Sequence, residues 1–179
     1  MRINVKNVDG LIVPTNGSPQ AAAYDATATS DPEIVGEQVN GLWKRIDYIQ
    51  YHTNLFVAPQ KDNYQHDFHI LIHPRSSVSK YSLQLANGIG LIDTDYRGEI
   101  LVRFNYLWQP EDMVIQFQKY PQSDGPDVAG LNPISILGKV NTHKIYKKGD
   151  KICQLVVEPT TRAEWVPVNE LSETVRGAG

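Results

Sequence analysis

The chain has 179 residues, of which 41% are apolar and 21% charged, so it is long enough to bury the core of one domain. Seventeen basic and twenty acidic residues give a formal charge of −3 without a basic run, which argues against a nucleic-acid partner bound through its phosphates. A single cysteine, an amino terminus without a signal-peptide pattern and the lack of a long apolar stretch predict a cytoplasmic protein without membrane contact.

Short strands dominate the predicted elements. In chain order, runs of alternating or β-branched residues predict strands at 67–73, 100–107, 113–118 and 151–157. The best helix candidate is 76–87, where Val78, Tyr81 and Leu85 share one face. Eleven prolines and thirteen glycines punctuate the intervals, so the sequence favours a mostly-β fold with one short helix.

Two segments have the composition of mobile loops. Residues 121–133 are rich in Gly, Pro, Asp and Ser, and the tail 169–179 has few apolar anchors. Neither segment resembles a linker between domains. The sequence therefore predicts a single domain over 1–179, with a mobile arm at its end.

The stretch NGIGLIDTDYRGEI, at 87–100, combines glycines, carboxylates, one arginine and one tyrosine. Taken alone, it fits the turn of a β-hairpin as well as a functional loop. Four other blocks accompany it: AAAYDATA at 21–28, HPRSSVSK at 73–80, KGDKICQLVVEP at 148–159 and SETVRGAG at 172–179.

These five blocks, in this order, resemble the five motifs of the trimeric dUTP pyrophosphatases, the dUTPases, including viral members with a long insert. The third block follows N-G-x-G-x-I-D-x-D-Y-R-G-E without a gap. The fourth follows G-D-R-I-A-Q-L-V, with Lys151 and Cys153 as substitutions. The resemblance implies a β-clip, distorted jelly-roll subunit that forms a homotrimer and hydrolyses dUTP to dUMP and pyrophosphate in nucleotide metabolism.

The resemblance also assigns roles to the third block. Hydrolysis at the α-phosphorus needs a carboxylate that accepts a proton from water, and the matching residue is Asp93. In the family this hairpin recognises uracil through main-chain groups, and a tyrosine stacks below the deoxyribose. The matching substrate-binding residues are Asn87, Gly90, Ile92, Tyr96 and Leu101.

Phosphate and metal contacts are implied by the other blocks. Arg75 offers a planar fork of donors, and the hydroxyls of Ser76 and Ser77 open the helix candidate, although a plain helix cap would use serine equally well. By resemblance, Gln154 donates to the phosphate chain and Arg176 contacts the γ-phosphate. The remaining match is Asp25, which in the family reaches Mg²⁺ through water.

The sequence departs from the family at several places. Segments 30–68 and 105–147 are longer than usual, and the second is an insert that could line the site or bind a partner protein. The fifth motif matches R-G-x-G, without the following G-F-G-S-T-G.

Two rival functions remain open. One is a dCTP deaminase of the same fold, but Arg103 stands where that branch has its catalytic glutamate, and a guanidinium cannot accept the proton. The other is a dUTP-responsive regulatory protein that uses the insert.

Overall fold

Antiparallel strands are the main regular elements of the computed structural model, which describes residues 1–119 and 131–176, and their side chains except those of 116–119 and 131–135. Two short 3₁₀ helices, Ser76–Lys80 and Pro110–Asp112, interrupt the strands. The mostly-β prediction is confirmed. In chain order the strands of this part of the chain are β1 Ile3–Val5, β2 Thr15–Asn16, β3 Tyr24–Thr27, β4 Glu33–Val39, β5 Leu42–Tyr51, β6 Val57–Pro59, β7 Phe68–Pro74, β8 Leu83–Leu85, β9 Gly90–Ile92, β10 Val102–Tyr106, β11 Met113–Lys119, β12 Leu131–Gly138 and β13 Lys151–Pro159.

Two larger sheets carry the fold. One has the order β11-β12-β5-β10-β8, with β4 also pairing β5, and the other has the order β2-β3-β13-β7-β9. Strands β1 and β6 form a separate two-stranded ladder. Strand β7 lies between β13 and β9. The second sequence block begins on β7, the fourth contains β13 and the third contains β9, so parts of all three blocks share this sheet.

The hydrophobic core combines residues from both larger sheets. Ile49, Tyr51 and Phe104 come from the first sheet and Ile70 and Ile152 from the second, and each is at most 2% exposed. The rings of Tyr51 and Phe104 meet edge to face with centroids 5.7 Å apart. Such aromatic packing contributes about 0.5–1.5 kcal/mol beyond area burial.

The four predicted strands are all present, as β7, β10, β11 and β13. The helix candidate at 76–87 is only partly helical, because the 3₁₀ helix ends at Lys80. Leu83 and Leu85 are buried in β8 and pair opposite Tyr106 and Phe104, while Gln84 between them is exposed. Pairing with β10 therefore overrides the helical spacing of this segment.

Both long segments contribute a hairpin. Strands β4 and β5 are joined by Asn40 and Gly41, whose φ angles of 52° and 77° are those of a tight type I′ connection. Within the insert, β11 pairs β12 from Met113↔Gly138 to Lys119↔Leu131. The predicted loop at 121–133 lies mostly outside the described residues, as does the end of the predicted arm, 177–179.

Within residues 1–119 and 131–176, no helix has the length and apolar character needed to cross a membrane.

Candidate active site

A pocket of about 500 Å³ opens on the segment 87–100. Its wall includes four of the residues predicted to contact the nucleoside: Asn87, Ile92, Tyr96 and Leu101. Strands β5 and β10 also line the pocket, through residues such as Tyr48 and Arg103. A cavity of this size suits a small molecule of nucleoside dimensions.

Two glycines shape the start of this segment. Gly88 has φ +67°, a conformation that side chains rarely adopt, and its N–H donates to the Leu85 carbonyl at 3.1 Å. Gly90 is buried against Ile72, because a Cβ there would lie 2.9 Å from the Ile72 Cβ. In this structure Gly90 therefore allows β9 to pack closely on β7.

Residues 93–99 form a compact turn after β9. The Tyr96 N–H donates to the Asp93 carbonyl at 3.1 Å, and the Tyr96 hydroxyl donates to the Glu99 carbonyl at 3.0 Å. The tyrosine ring folds over Gly98, where a Cβ would clash with its hydroxyl. The turn leaves Asp93 exposed, next to the pocket residue Ile92.

A second group of predicted residues surrounds Asp25 on β3. This carboxylate is only 6% exposed and lies between two cations, with Oδ1 2.9 Å from Arg75 Nε and Oδ2 2.9 Å from Lys151 Nζ. The Lys151 contact is a hydrogen bond, whereas the Arg75 contact is close but not aligned as one. Arg75 also donates from Nη1 to the Lys151 carbonyl at 3.3 Å. We call these three residues the Asp25 cluster.

The other predicted phosphate-binding residues differ in their position. Gln154 lies on β13 directly opposite Asp25 and His73, so it adjoins the Asp25 cluster. Ser76 is exposed. Arg176 is exposed in the tail.

The Ser77 hydroxyl is shielded and lies beside the hydroxyl of Tyr146. Burial raises the pKa of Tyr146, and the nearby Ser77 partly opposes that effect. The two groups are nevertheless not aligned as a hydrogen bond, and neither hydroxyl has another partner among the described residues. The Ser77 hydroxyl is thus available to a ligand or to water.

The two groups of predicted residues lie towards opposite ends of β7. Ile92 pairs with Ile70 of the antiparallel β7, so the next residue, Asp93, lies near the first residues of β7. Arg75 lies at the other end, directly after the last residue of β7, Pro74. Six residues of extended strand separate positions 69 and 75, which corresponds to about 20 Å. One chain therefore brings together the nucleoside residues, and separately the Asp25 cluster, but does not bring the two groups into contact.

Sequence reasoning missed two partners of the predicted residues. Lys151 was considered only as a substitution within the fourth block, although it neutralises Asp25. The Glu99 carboxylate binds the backbone N–H groups of Thr53 and Asn54 at 3.0 and 2.9 Å. Lys151 could have been found from the sequence, because it directly follows the Gly-Asp of the fourth block. The partners of Glu99 could not, because they are more than 40 residues away along the chain.

Known structures define the class of fold. The Staphylococcus bacteriophage 80alpha dUTPase, solved with dUPNHPP, matches with a TM-score of 0.61 and 21% identity over 99% of this chain and 95% of that one. That enzyme belongs to the phage dUTPases described as controlling transfer of virulence genes by a G protein-like mechanism. A mutant dUTPase from S. aureus phage phi11, which coordinates a structural Mg(II) ion, matches with a TM-score of 0.60 and 18% identity over 95% and 98% of the two chains. The fold is the jelly-roll-like dUTPase fold.

Sequence comparison identifies the family. No family model matches the chain. However, the deoxyuridine 5′-triphosphate nucleotidohydrolase of Desulfitobacterium hafniense is 33% identical over 168 residues, which cover 93% of this chain and 83% of that protein. The chain belongs to the deoxyuridine 5′-triphosphate nucleotidohydrolase family, the dUTP diphosphatases, and the resemblance found in the sequence is confirmed.

Proposed function

We propose that this protein hydrolyses dUTP to dUMP and pyrophosphate. The observation that carries the proposal is the arrangement of the third block, in which Asn87, Ile92, Tyr96 and Leu101 line one nucleoside-sized pocket and Asp93 directly follows it. Family membership supports the same reaction. The deaminase alternative has no comparable support, since Arg103 lines the pocket wall with its guanidinium stacked 4.5 Å from the Tyr48 ring.

In the proposed mechanism Asp93 acts as general base. A water oxygen attacks the α-phosphorus while the Asp93 carboxylate takes its proton. The bond from the α-phosphorus to the oxygen bridging it to the β-phosphorus breaks, and pyrophosphate leaves with that oxygen. Asp93 is exposed in this chain, so water and a nucleotide can reach its carboxylate.

The pocket provides the basis for selecting the nucleoside. A site that hydrogen-bonds the edge of uracil leaves its own groups unpaired against cytosine, which can reduce reactivity by about 10⁴-fold. Tyr96 is held by its hydrogen bond to the Glu99 carbonyl, so its ring can pack rigidly against the sugar. Crowding by this ring would exclude a 2′-hydroxyl.

The Asp25 cluster and Gln154 would bind the triphosphate. Arg75 presents a fork of donors, and the shielded Ser77 hydroxyl adds another donor beside it. Residue Arg176 would approach the γ-phosphate from the tail.

Residue Asp25 fits a supporting role towards Mg²⁺. Its carboxylate supplies the hard oxygen ligands that Mg²⁺ prefers, and Oδ1 has no aligned hydrogen-bond partner among the described residues. Two adjacent cations already neutralise it, which favours contact through water over direct coordination. When bound, Mg²⁺ would offset charge on the leaving pyrophosphate.

A complete site then requires more than one copy of the chain. Asp93 and the Asp25 cluster lie about 20 Å apart by strand length, whereas the reacting phosphorus and the neighbouring phosphates must be bound together. A homotrimer in which one subunit supplies the pocket and Asp93, and its neighbour the phosphate-binding residues, satisfies both conditions. This arrangement agrees with the assembly implied by the sequence motifs.

Incubation with dUTP, dCTP, dTTP and UTP in the presence of Mg²⁺ tests the proposed reaction. We expect pyrophosphate from dUTP, with dCTP slower by about 10⁴-fold, dTTP and UTP slower by about 10²-fold, and no ammonia from dCTP. Ammonia release would identify a deaminase. Binding of dUTP without pyrophosphate release would identify the regulatory alternative, in which the insert contacts another protein.

A further inference from the structure

A histidine outside the predicted site joins two carboxylates behind the third block. His52 directly follows β5; its Nδ1 lies 2.9 Å from Glu99 Oε2 and its Nε2 lies 3.3 Å from Glu33 Oε1. Glu99 belongs to the turn that carries Asp93, whereas Glu33 begins β4. The imidazole therefore connects the β4–β5 hairpin to the nucleoside-binding turn.

The protonation state of His52 decides whether both contacts can form. A neutral imidazole has one N–H donor, whereas an imidazolium has two, and ionised carboxylates only accept hydrogen bonds. The hydrogen bond to Glu99, followed by smaller contributions from the charges of Glu99 and Glu33, raises the pKa of His52 against the opposing effect of burial. Arg103 of β10 is linked to the same network through Gln50, which accepts from Arg103 Nε at 2.8 Å and donates to Glu33 at 3.1 Å.

Among the described residues, the turn 93–99 is hydrogen-bonded to the rest of the chain through Thr94 and Glu99. The Thr94 hydroxyl donates to the Phe68 carbonyl at 2.9 Å. The Glu99 carboxylate provides the other anchor, through the N–H groups of Thr53 and Asn54 and through His52. The Glu99 backbone in turn accepts the Tyr96 hydroxyl, so the position of this carboxylate sets the position of the ring.

We propose that His52 is a positioning residue, whose imidazolium holds Glu99 and thereby fixes the turn of Asp93 and Tyr96 for the nucleotide. This role rests on the proposed function for its catalytic consequence. Because the folded-state pKa is raised, the bridge is complete below the ordinary histidine pKa of about 6.5 and is lost as pH rises through the higher folded-state value. The pocket of this protein is therefore better ordered in mildly acidic than in alkaline solution.

The substitution His52→Gln tests this role, because it retains size and one donor but cannot carry charge. The His52 backbone should persist, since its carbonyl accepts from the Thr29 N–H at 2.9 Å and from the Thr29 hydroxyl at 3.1 Å. The matched control is His66→Gln, which removes an exposed imidazole bound to Asp62 at 2.9 Å, away from the pocket. A second variant, Glu99→Gln, keeps an acceptor for Thr53 and Asn54 but removes the charge.

Amide hydrogen exchange of the nucleotide-free protein gives the first readout. At about pH 6, we expect His52→Gln to exchange the amides of 53–54 and 93–99 about tenfold faster than wild type, and at about pH 9 the difference should nearly vanish. His66→Gln should match wild type in these amides at both pH values. Equal exchange in His52→Gln and wild type at about pH 6, or a difference that does not change with pH, would overturn the proposal.

The kinetics of dUTP hydrolysis provide the second readout. His52→Gln should raise KM by about threefold to tenfold near pH 6 with kcat nearly unchanged, and Glu99→Gln should remove the same pH dependence of KM. A pH-independent effect in both variants would reduce His52 to a structural contact and contradict the proposal. Since exchange needs no nucleotide, loss of the proposed hydrolytic function and loss of this positioning role would be seen separately.

Discussion

The buried carboxylate of Asp25 shows how single residues create a polar site within a β-sheet. At 6% exposure an isolated carboxylate would be strongly destabilising, but Arg75 and Lys151 each approach one of its oxygens at 2.9 Å. The two cations are themselves partly exposed, at 28% and 45%. They can therefore face Asp25 and still attract an anionic ligand from solvent.

Replacement of Asp93 by asparagine tests its role as general base. Asp93→Asn keeps the shape and polarity of the side chain but cannot accept the proton, so kcat for dUTP should fall by about 10²-fold or more while dUTP affinity changes by no more than about threefold. The neighbouring substitution Asp95→Asn removes a similarly exposed charge two residues away and should leave kcat within about threefold. Rapid-quench measurement of dUMP formation compares the two variants.

Equal loss in Asp93→Asn and Asp95→Asn would point to local charge rather than proton transfer. Nearly normal turnover in Asp93→Asn would remove this residue from the mechanism.

The residues that line the pocket could be predicted from the sequence, whereas the residues that hold them in place from distant parts of the chain could not. Asn87, Ile92 and Tyr96 belong to the gap-free third block, and residues that are close in the sequence remain close in the folded chain. The imidazole of His52 meets Glu99 across 47 residues of chain, and no pattern in the sequence predicts such a contact. Partner identity at this range depends on strand register, which is set by the fold as a whole.

At the scale of elements, the strands were predictable where side chains alternate, and β8 shows the limit of this reasoning. Leu83 and Leu85 alternate with Gln84, but three residues are too few to outweigh the helical spacing around them. In contrast, Asn40-Gly41 offered a strong hairpin signal between two β-rich runs, and the structure has β4 and β5 on either side. That signal was not used in the sequence prediction.

The insert hairpin β11–β12 is an addition to the edge of the first sheet. Ile115 and Ile136 pair with each other and are 50% and 63% exposed, so the hairpin presents apolar side chains to solvent. Two hydrogen bonds fix its base: the buried Asp112 carboxylate accepts from the Tyr106 hydroxyl at 2.8 Å, and the Asp112 carbonyl accepts from the Lys139 N–H at 2.8 Å. The described residues of the hairpin lie outside the wall of the pocket.

Shortening the insert tests whether it belongs to the site. Met113 and Gly138 pair directly, so an Asn-Gly turn can replace residues 114–137 between them. We expect the shortened protein to keep kcat and KM for dUTP within about twofold, because the pocket is lined by other elements. A loss of more than about tenfold in a folded, shortened protein would instead place the insert at the active site.

At the scale of the whole molecule, the fold divides the site into two halves. Strand β7 is paired on both sides, by β13 and by β9, and neither partner can shift without breaking its ladder. The third block and the Asp25 cluster are thus held at the two ends of a rigid sheet. In the proposed site, association of copies, rather than bending of one chain, would bring the halves together.

Mixed assemblies of two inactive variants test this division most directly. Asp93→Asn lacks the proposed base. Arg75→Gln lacks the guanidinium but keeps a hydrogen-bond donor towards Asp25. Each variant alone should hydrolyse dUTP about 10²-fold more slowly than wild type. When the two are co-expressed in equal amounts and purified without selecting for composition, random association should give about a quarter of wild-type turnover. Half of the pockets are intact, and half of the neighbouring subunits supply intact phosphate-binding residues. As a control, wild type mixed with the double variant should also give about a quarter, against about a half for a site contained in one chain. Mixed assemblies no more active than the separate variants would contradict a site shared between copies of this protein.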